Sequence, residues 1–157
     1  MNRDTRDKIN QIIFDYKLFL SYILQSFKHS ENILLMAETI RILLADDEPD
    51  IIDPLKEHLF IEGYDVKTTF DGEEAISLMS KGKYDAIILD LYMPKIDGFD
   101  VLKAIKKTSP ATKVIILSGH AFPENIKKCK EYGAEIVLPK PSGIKEILDA
   151  IQNVLEK

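Results

Sequence analysis

Three short runs rich in Ile, Leu and Val constrain the fold of this chain more than any other feature: Ile42 to Ala45, Asp85 to Leu89 and Val114 to Leu117. Continuous apolar runs of this length, without polar alternation, are the mark of parallel strands buried on both faces. Tyr64 to Phe70 and Glu135 to Leu138 are weaker strand candidates and belong nearer the sheet edges. Helical patterns fill the intervals. The clearest is the last, where Ile144, Ile147, Leu148, Ile151, Val154 and Leu155 make one apolar stripe. Gly63, Gly82, Gly133 and Gly143 sit at the junctions, where tight or left-handed backbone is needed. Five strand and helix pairs in alternation specify an α/β fold, a doubly wound (βα)5 domain with a five-stranded parallel sheet covered by helices on both sides.

The chain has 157 residues, enough for one packed domain and an appendage. The domain is expected over 38–157 and an N-terminal helical extension over 1–37, where Ile9, Ile12, Ile13, Tyr16, Phe19, Leu20, Ile23 and Phe27 recur at helical spacing. The longest uncharged run in that extension, Leu18 to Phe27, falls well short of the roughly 20 apolar residues of a membrane span. Asp15 and Lys17 interrupt the wider apolar stretch and no small-residue cleavage site follows, so a signal peptide fits poorly. Met36 begins MAETIRILLADDE, which looks like a natural start. What precedes it is either an upstream translation-start artefact without function or a genuine helix, one that pairs with a partner or with a second copy in a homodimer, or one that lies on a membrane surface. With 21 basic against 26 acidic residues and no basic block, direct nucleic-acid binding is not expected. The single cysteine, Cys129, fits a reducing cytoplasm and reads as a small core residue on a helix.

In doubly wound sheets ligands bind beyond the carboxyl ends of the strands. Those ends carry Asp46, Asp47 and Glu48 after the first strand, Asp90 after the third, Ser118 after the fourth and Lys140 after the fifth. Like charges about 4 Å apart cost roughly 4 kcal/mol at an effective dielectric near 20, so the acids call for a cation. Hard oxygen donors without His or Cys suit Mg²⁺, with Mn²⁺ the alternative, and Asp47 and Asp90 are the expected direct ligands with Asp46 acting through water. A carboxylate placed as Asp90 is can attack a phosphoryl group and become an aspartyl phosphate. Taken singly, each residue has a plainer role: Asp46, Glu48 and Asp50 as helix-start acids, Ser118 as a turn residue, Lys140 as a solvated cation. Complementary groups on four separate strand ends favour the shared site.

The stretches ILLADDEPD, IILDLYMPKIDGFDVL, VIILSGH and LPKP, in that order, resemble the receiver domain of bacterial two-component response regulators, the flavodoxin-like fold of the chemotaxis response regulator. The likeness runs from about Ile40 to the end. It implies that Asp90 is the phosphoacceptor, that Asp46, Asp47, Asp90 and the Tyr92 backbone carbonyl hold Mg²⁺, and that Ser118 and Lys140 bond phosphoryl oxygens. It implies a cis bond between Lys140 and Pro141. The expected function is a stand-alone cytoplasmic receiver, a signalling domain rather than an enzyme, phosphorylated by a histidine kinase or phosphotransfer protein and acting on a downstream protein through protein contacts.

Three departures matter. Val137 stands where the family usually has an aromatic switch residue. Tyr92 and His120 flank the expected phosphoryl position, and a bulky Tyr92 is expected to shield an acyl phosphate from water, whereas His120 alone reads as an exposed loop residue. Pro54 falls within the first helix pattern, so the helix is expected to start near Asp53 with Pro54 as its first residue. His29 and His58 have no partners at ligand spacing and read as surface or interface residues. A flavodoxin-type electron carrier would need a Ser/Thr/Gly-rich loop for the flavin phosphate, and the acidic loop here would repel it. An unphosphorylated receiver-like interaction module is the remaining rival, opposed by the intact Asp90, Ser118 and Lys140.

Overall fold

The structure, a computed structural model, describes residues 39–156. The expected N-terminal helix and His29 lie outside the described residues. Strands β1 (Arg41–Ala45), β2 (Asp65–Thr69), β3 (Ala86–Leu89), β4 (Lys113–Ser118) and β5 (Ile136–Pro139) alternate with helices α1 (Pro49–Ile61), α2 (Gly72–Lys81), α3 (Gly98–Thr108), α4 (Pro123–Glu131) and α5 (Ile144–Leu155). All four strand pairings are parallel, in the order β2-β1-β3-β4-β5. This is the doubly wound sheet expected from the apolar runs, and the two weaker strand candidates occupy its edges. The strand order reverses between β1 and β3, which opens a crevice beyond their carboxyl ends.

Alternation along each central strand builds two cores from one sheet. Leu43, Ala45, Ile87, Leu89, Val114 and Ile116 face α2, α3 and α4, where Ala75, Met79, Phe99, Leu102 and Ile105 meet them. Ile42, Leu44, Ala86, Ile88, Ile115 and Leu117 face α1 and α5, against Leu55, Leu59, Ile147, Ile151 and Val154. Cys129 is wholly buried on α4, as expected. Asp71 and Asp97 cap α2 and α3 by accepting the backbone N–H groups of Glu74 and Asp100 at 2.8 and 2.9 Å.

The start of α1 differs from the expectation. The helix begins at Pro49, with Glu48 at its N-cap, and Pro54 lies inside it. Its first turn closes upstream of Pro54, because the Glu48 carbonyl accepts the N–H groups of Ile51 and Ile52 at 3.0 and 3.1 Å. Pro49 suits the first helical position, where no N–H is needed. The missing N–H of Pro54 deprives only the carbonyl of Asp50, an exposed residue, while burial of Ile52 favours helix on that side. Of the four junction glycines, Gly63 and Gly133 take the left-handed conformation, at φ 90° and 98°, ending α1 and α4. Gly82 and Gly143 have φ of −125° and −69° and need no such freedom.

Candidate functional site

The strand ends converge as the sequence order requires. Asp90 follows the central strand β3 with its carboxylate 8% exposed, and its Oδ1 accepts the N–H of Leu91 at 2.6 Å. Behind it, Gly98 is indispensable: a Cβ there would lie 2.0 Å from the Asp90 carbonyl oxygen, and the Gly98 N–H bonds the Leu91 carbonyl at 2.7 Å. The bend after Asp90 is thus packed directly against the start of α3.

Lys140, at the end of β5, sends its ammonium to three carboxylates: Asp46 Oδ2 at 2.7 Å, Glu48 Oε1 at 2.8 Å and Asp90 Oδ2 at 3.1 Å. Burial works against the lysine's charge, but the hydrogen bonds of Asp46 and Glu48 and the attraction of Asp46 and Asp90 outweigh it and raise its pKa far above the ordinary value. Burial also pushes the Asp46 carboxyl up, offset in part by Lys140 and by the Glu48 N–H, which Asp46 Oδ1 accepts at 3.0 Å. The Lys140–Pro141 bond is cis. Ser118 is fully buried, and in this state its Oγ accepts the N–H of His120 at 3.3 Å.

Asp46, Glu48 and Asp90 can each offer an oxygen within 4.8 Å of the others. Three carboxylates against one ammonium leave excess negative charge, and hard oxygens without His or Cys fit a divalent ion such as Mg²⁺. Asp47 is exposed and lines the same hollow without joining that trio. Glu48 is the residue that sequence reasoning placed elsewhere. It does hold the N-cap position as a helix-start acid, but its side chain makes no cap bond and turns to Lys140 instead. Its type was the available signal, since Ser, Thr, Asp and Asn are the preferred caps and Glu is not among them.

The hollow encloses about 660 Å³ and runs from the acids past Ile51, Pro54 and Leu55 of α1 to Ile144 and Ile147 of α5. Tyr92 and His120 stand at its rim with ring centroids 4.3 Å apart and planes tilted by 55°. Both are exposed, and His120, in the turn after β4 as expected of a loop residue, also packs on Tyr92 and lies edge-on to Phe122, 6.1 Å away. His58 is exposed, with its Nδ1 2.8 Å from the Pro54 carbonyl. Val137 is half-buried beside the α2–α4 core, with no aromatic ring at that position.

A doubly wound parallel sheet with an acid hollow, a buried aspartate on the central strand and a lysine on β5 defines a receiver-type signalling domain. The sequence matches the response regulator receiver domain over residues 42–152, and the chain belongs to that family. It is 30% identical over 118 residues to the response regulator MprA of Mycolicibacterium vanbaalenii, covering 75% of this chain and 51% of that one. With MprA of Mycobacterium leprae the identity is 30% over 118 residues, covering 75% and 52%. The chain thus spans about half the length of these curated relatives. A CheY-like receiver domain protein of Methanospirillum hungatei superposes with a TM-score of 0.74 at 28% identity, covering 76% of this chain and 95% of that one. The response regulator TrrA of Thermotoga maritima, solved in complex with Mg(2+)-BeF, gives 0.68 at 34% identity, covering 74% and 100%. Residues 42–152 are accordingly a receiver domain, a signalling module of two-component response regulators, of a family that binds Mg²⁺ through acidic residues. No helix among the described residues is long and apolar enough to cross a membrane.

Proposed function

We propose that Asp90 accepts a phosphoryl group from the phosphohistidine of a sensor kinase or phosphotransfer protein in the cytoplasm. The observation that carries this is Asp90 itself: a nearly buried carboxylate at the head of the central strand, with one oxygen on Lys140 and two further acids within 4.8 Å. Its Oδ attacks phosphorus as the N–P bond breaks, and the electron pair leaves with the imidazole nitrogen of the donor. Lys140 pairs with one phosphoryl oxygen, and Ser118 turns its hydroxyl from the His120 N–H to another. Asp46, Asp47, Asp90 and the Tyr92 carbonyl are the residues that would hold Mg²⁺, with Glu48 beside them. When bound, the ion offsets charge on the transferring phosphoryl group. The Mg(2+)-BeF complex of TrrA supports this assignment by similarity.

In the stand-alone form of this proposal the modified surface is itself the output and acts on a downstream protein by contact. The receiver is assigned to 38–157; the extension expected over 1–37, a partner or second-copy contact or else an artefact, lies outside the described residues.

The test is incubation of the purified chain with a small phosphodonor and Mg²⁺. One phosphoryl mass is expected on the chain, with none on Asp90→Asn and none in chelator. Failure of the unaltered chain to label would leave a receiver-like interaction module. The same assay without residues 1–35, read with the oligomeric state from solution mass, tests the extension: a change in oligomeric state supports a contact role, and no change in either oligomeric state or phosphorylation favours an artefact.

A further inference from the structure

The resting site holds its one ammonium with a residue that need not be there for the chemistry. Lys140 lies closest to Asp46 and Glu48, at 2.7 and 2.8 Å, and farthest from Asp90, at 3.1 Å. Glu48 is also the odd member of the trio. Its side chain is 57% exposed while those of Asp46 and Asp90 are 8% exposed, so it reaches inward from the mouth of the hollow. At the head of a helix an acid gains from the helix dipole and a capping residue gains a backbone hydrogen bond. Glu48 makes no cap bond with its side chain and instead spans 92 positions in sequence to reach Lys140.

We propose that Glu48 is a positioning residue for Lys140: it holds the ammonium at the mouth of the hollow in the unmodified chain and competes with the phosphoryl group for it afterwards. This rests on Asp90 being the phosphoacceptor. The charges set the direction of the effect. Once Asp90 carries a phosphoryl group, the ammonium is wanted by the phosphoryl oxygens, and the Glu48 carboxylate both draws it away and repels the new anion. Glu48 therefore limits how far the site fills from a given donor. Because it is more than half exposed, its influence is that of a screened surface pair, about two- to fivefold in an equilibrium. A brake of that size suits a signal that must fall when its donor falls.

The experiment uses the full chain at saturating Mg²⁺ with a small phosphodonor. Glu48→Gln keeps the shape and removes the charge, and it is expected to raise the steady-state phosphorylated fraction, expressed as the ratio of modified to unmodified chain, by about two- to fivefold. An unchanged or lower ratio overturns the proposal, and a lower one makes Glu48 a helper of the metal site. Urea unfolding in chelator of the unaltered chain, Glu48→Gln, Lys140→Gln and the double variant gives the second readout, which involves neither phosphodonor nor metal. Positioning predicts that Glu48→Gln costs stability only while Lys140 is present; strictly additive losses would show that the two side chains do not act on one another. No label on the unaltered chain defeats the phosphoacceptor assignment itself, whereas label with no response to Glu48→Gln defeats only the role of Glu48.

Discussion

At the scale of single residues, the site divides into what local sequence can show and what it cannot. Asp46, Asp90, Ser118 and Lys140 were legible because each ends or directly follows a strand, and strand ends in a parallel sheet must meet at one rim. Glu48 was not, because its partner lies 92 residues away and only the fold brings the two together. Tyr92 lies between these cases. Its place two residues beyond Asp90 is visible in the sequence, but its stacking on His120 is a product of two separate loops. The residue is 48% exposed, with its ring against His120 at the rim. An aromatic pair contributes about 0.5–1.5 kcal/mol, which scales the expected shielding of a phosphoryl group on Asp90 by Tyr92 at roughly two- to tenfold in a rate. Tyr92→Asn should shorten the lifetime of the phosphorylated chain by about that factor, measured as phosphate release after donor removal. Release that is fast in the unaltered chain and unchanged in the variant would mean that Tyr92 shields nothing.

At the scale of elements, the helices are not held equally. α5 buries Ile147, Ala150, Ile151 and Val154, and α3 buries Phe99, Val101, Leu102 and Ile105, whereas α4 buries only Cys129. Its sequence PENIKKCKE carries too few apolar residues for a full stripe, so the sequence showed a helix there without showing what anchors it. Contacts between cations and rings supply part of the anchor: the Lys128 ammonium lies 3.8 Å from the Phe99 ring centroid, and Lys103 of α3 lies 4.9 Å from that of Tyr132. Asn125 adds a hydrogen bond to the His120 carbonyl at 2.8 Å, which joins α4 to the loop that leaves Ser118. A helix held mainly by surface contacts opens at a low free-energy cost. Because the chain has one cysteine and it lies wholly buried on this helix, a thiol reagent reads that opening directly. Lys128→Met removes a contact of about 0.5–1 kcal/mol, and labelling of Cys129 in the native chain should accelerate about two- to fivefold. Equal labelling rates would show that the Lys128 contact with Phe99 does not hold α4 down.

At the scale of the whole molecule, the sheet belongs to two cores at once, and its carboxyl ends carry the site. The apolar runs made the sheet readable, and the alternation within them fixed which residue faces which side. The helix that covers each side follows from the crossovers, and the sequence pattern does not state it. β4 shows the consequence most directly: Ile115 faces α1 and α5, Ile116 faces α2 to α4, and both are fully buried. Removing most of either side chain should cost about 2–5 kcal/mol, through lost burial and the cavity left behind. A domain of this size has roughly 5–15 kcal/mol to lose, so Ile115→Ala and Ile116→Ala should each remain folded with a markedly lower urea midpoint. Neither layer can hold Asp46, Asp90 and Lys140 in register without the other, because all three are carried by the shared sheet. In each variant the phosphorylatable fraction and the far-ultraviolet circular dichroism should therefore vanish together in one transition. A dichroism signal that survives beyond the loss of phosphoryl uptake in one variant alone would show that the layer it leaves intact stands on its own, and that the site depends on the opposite core.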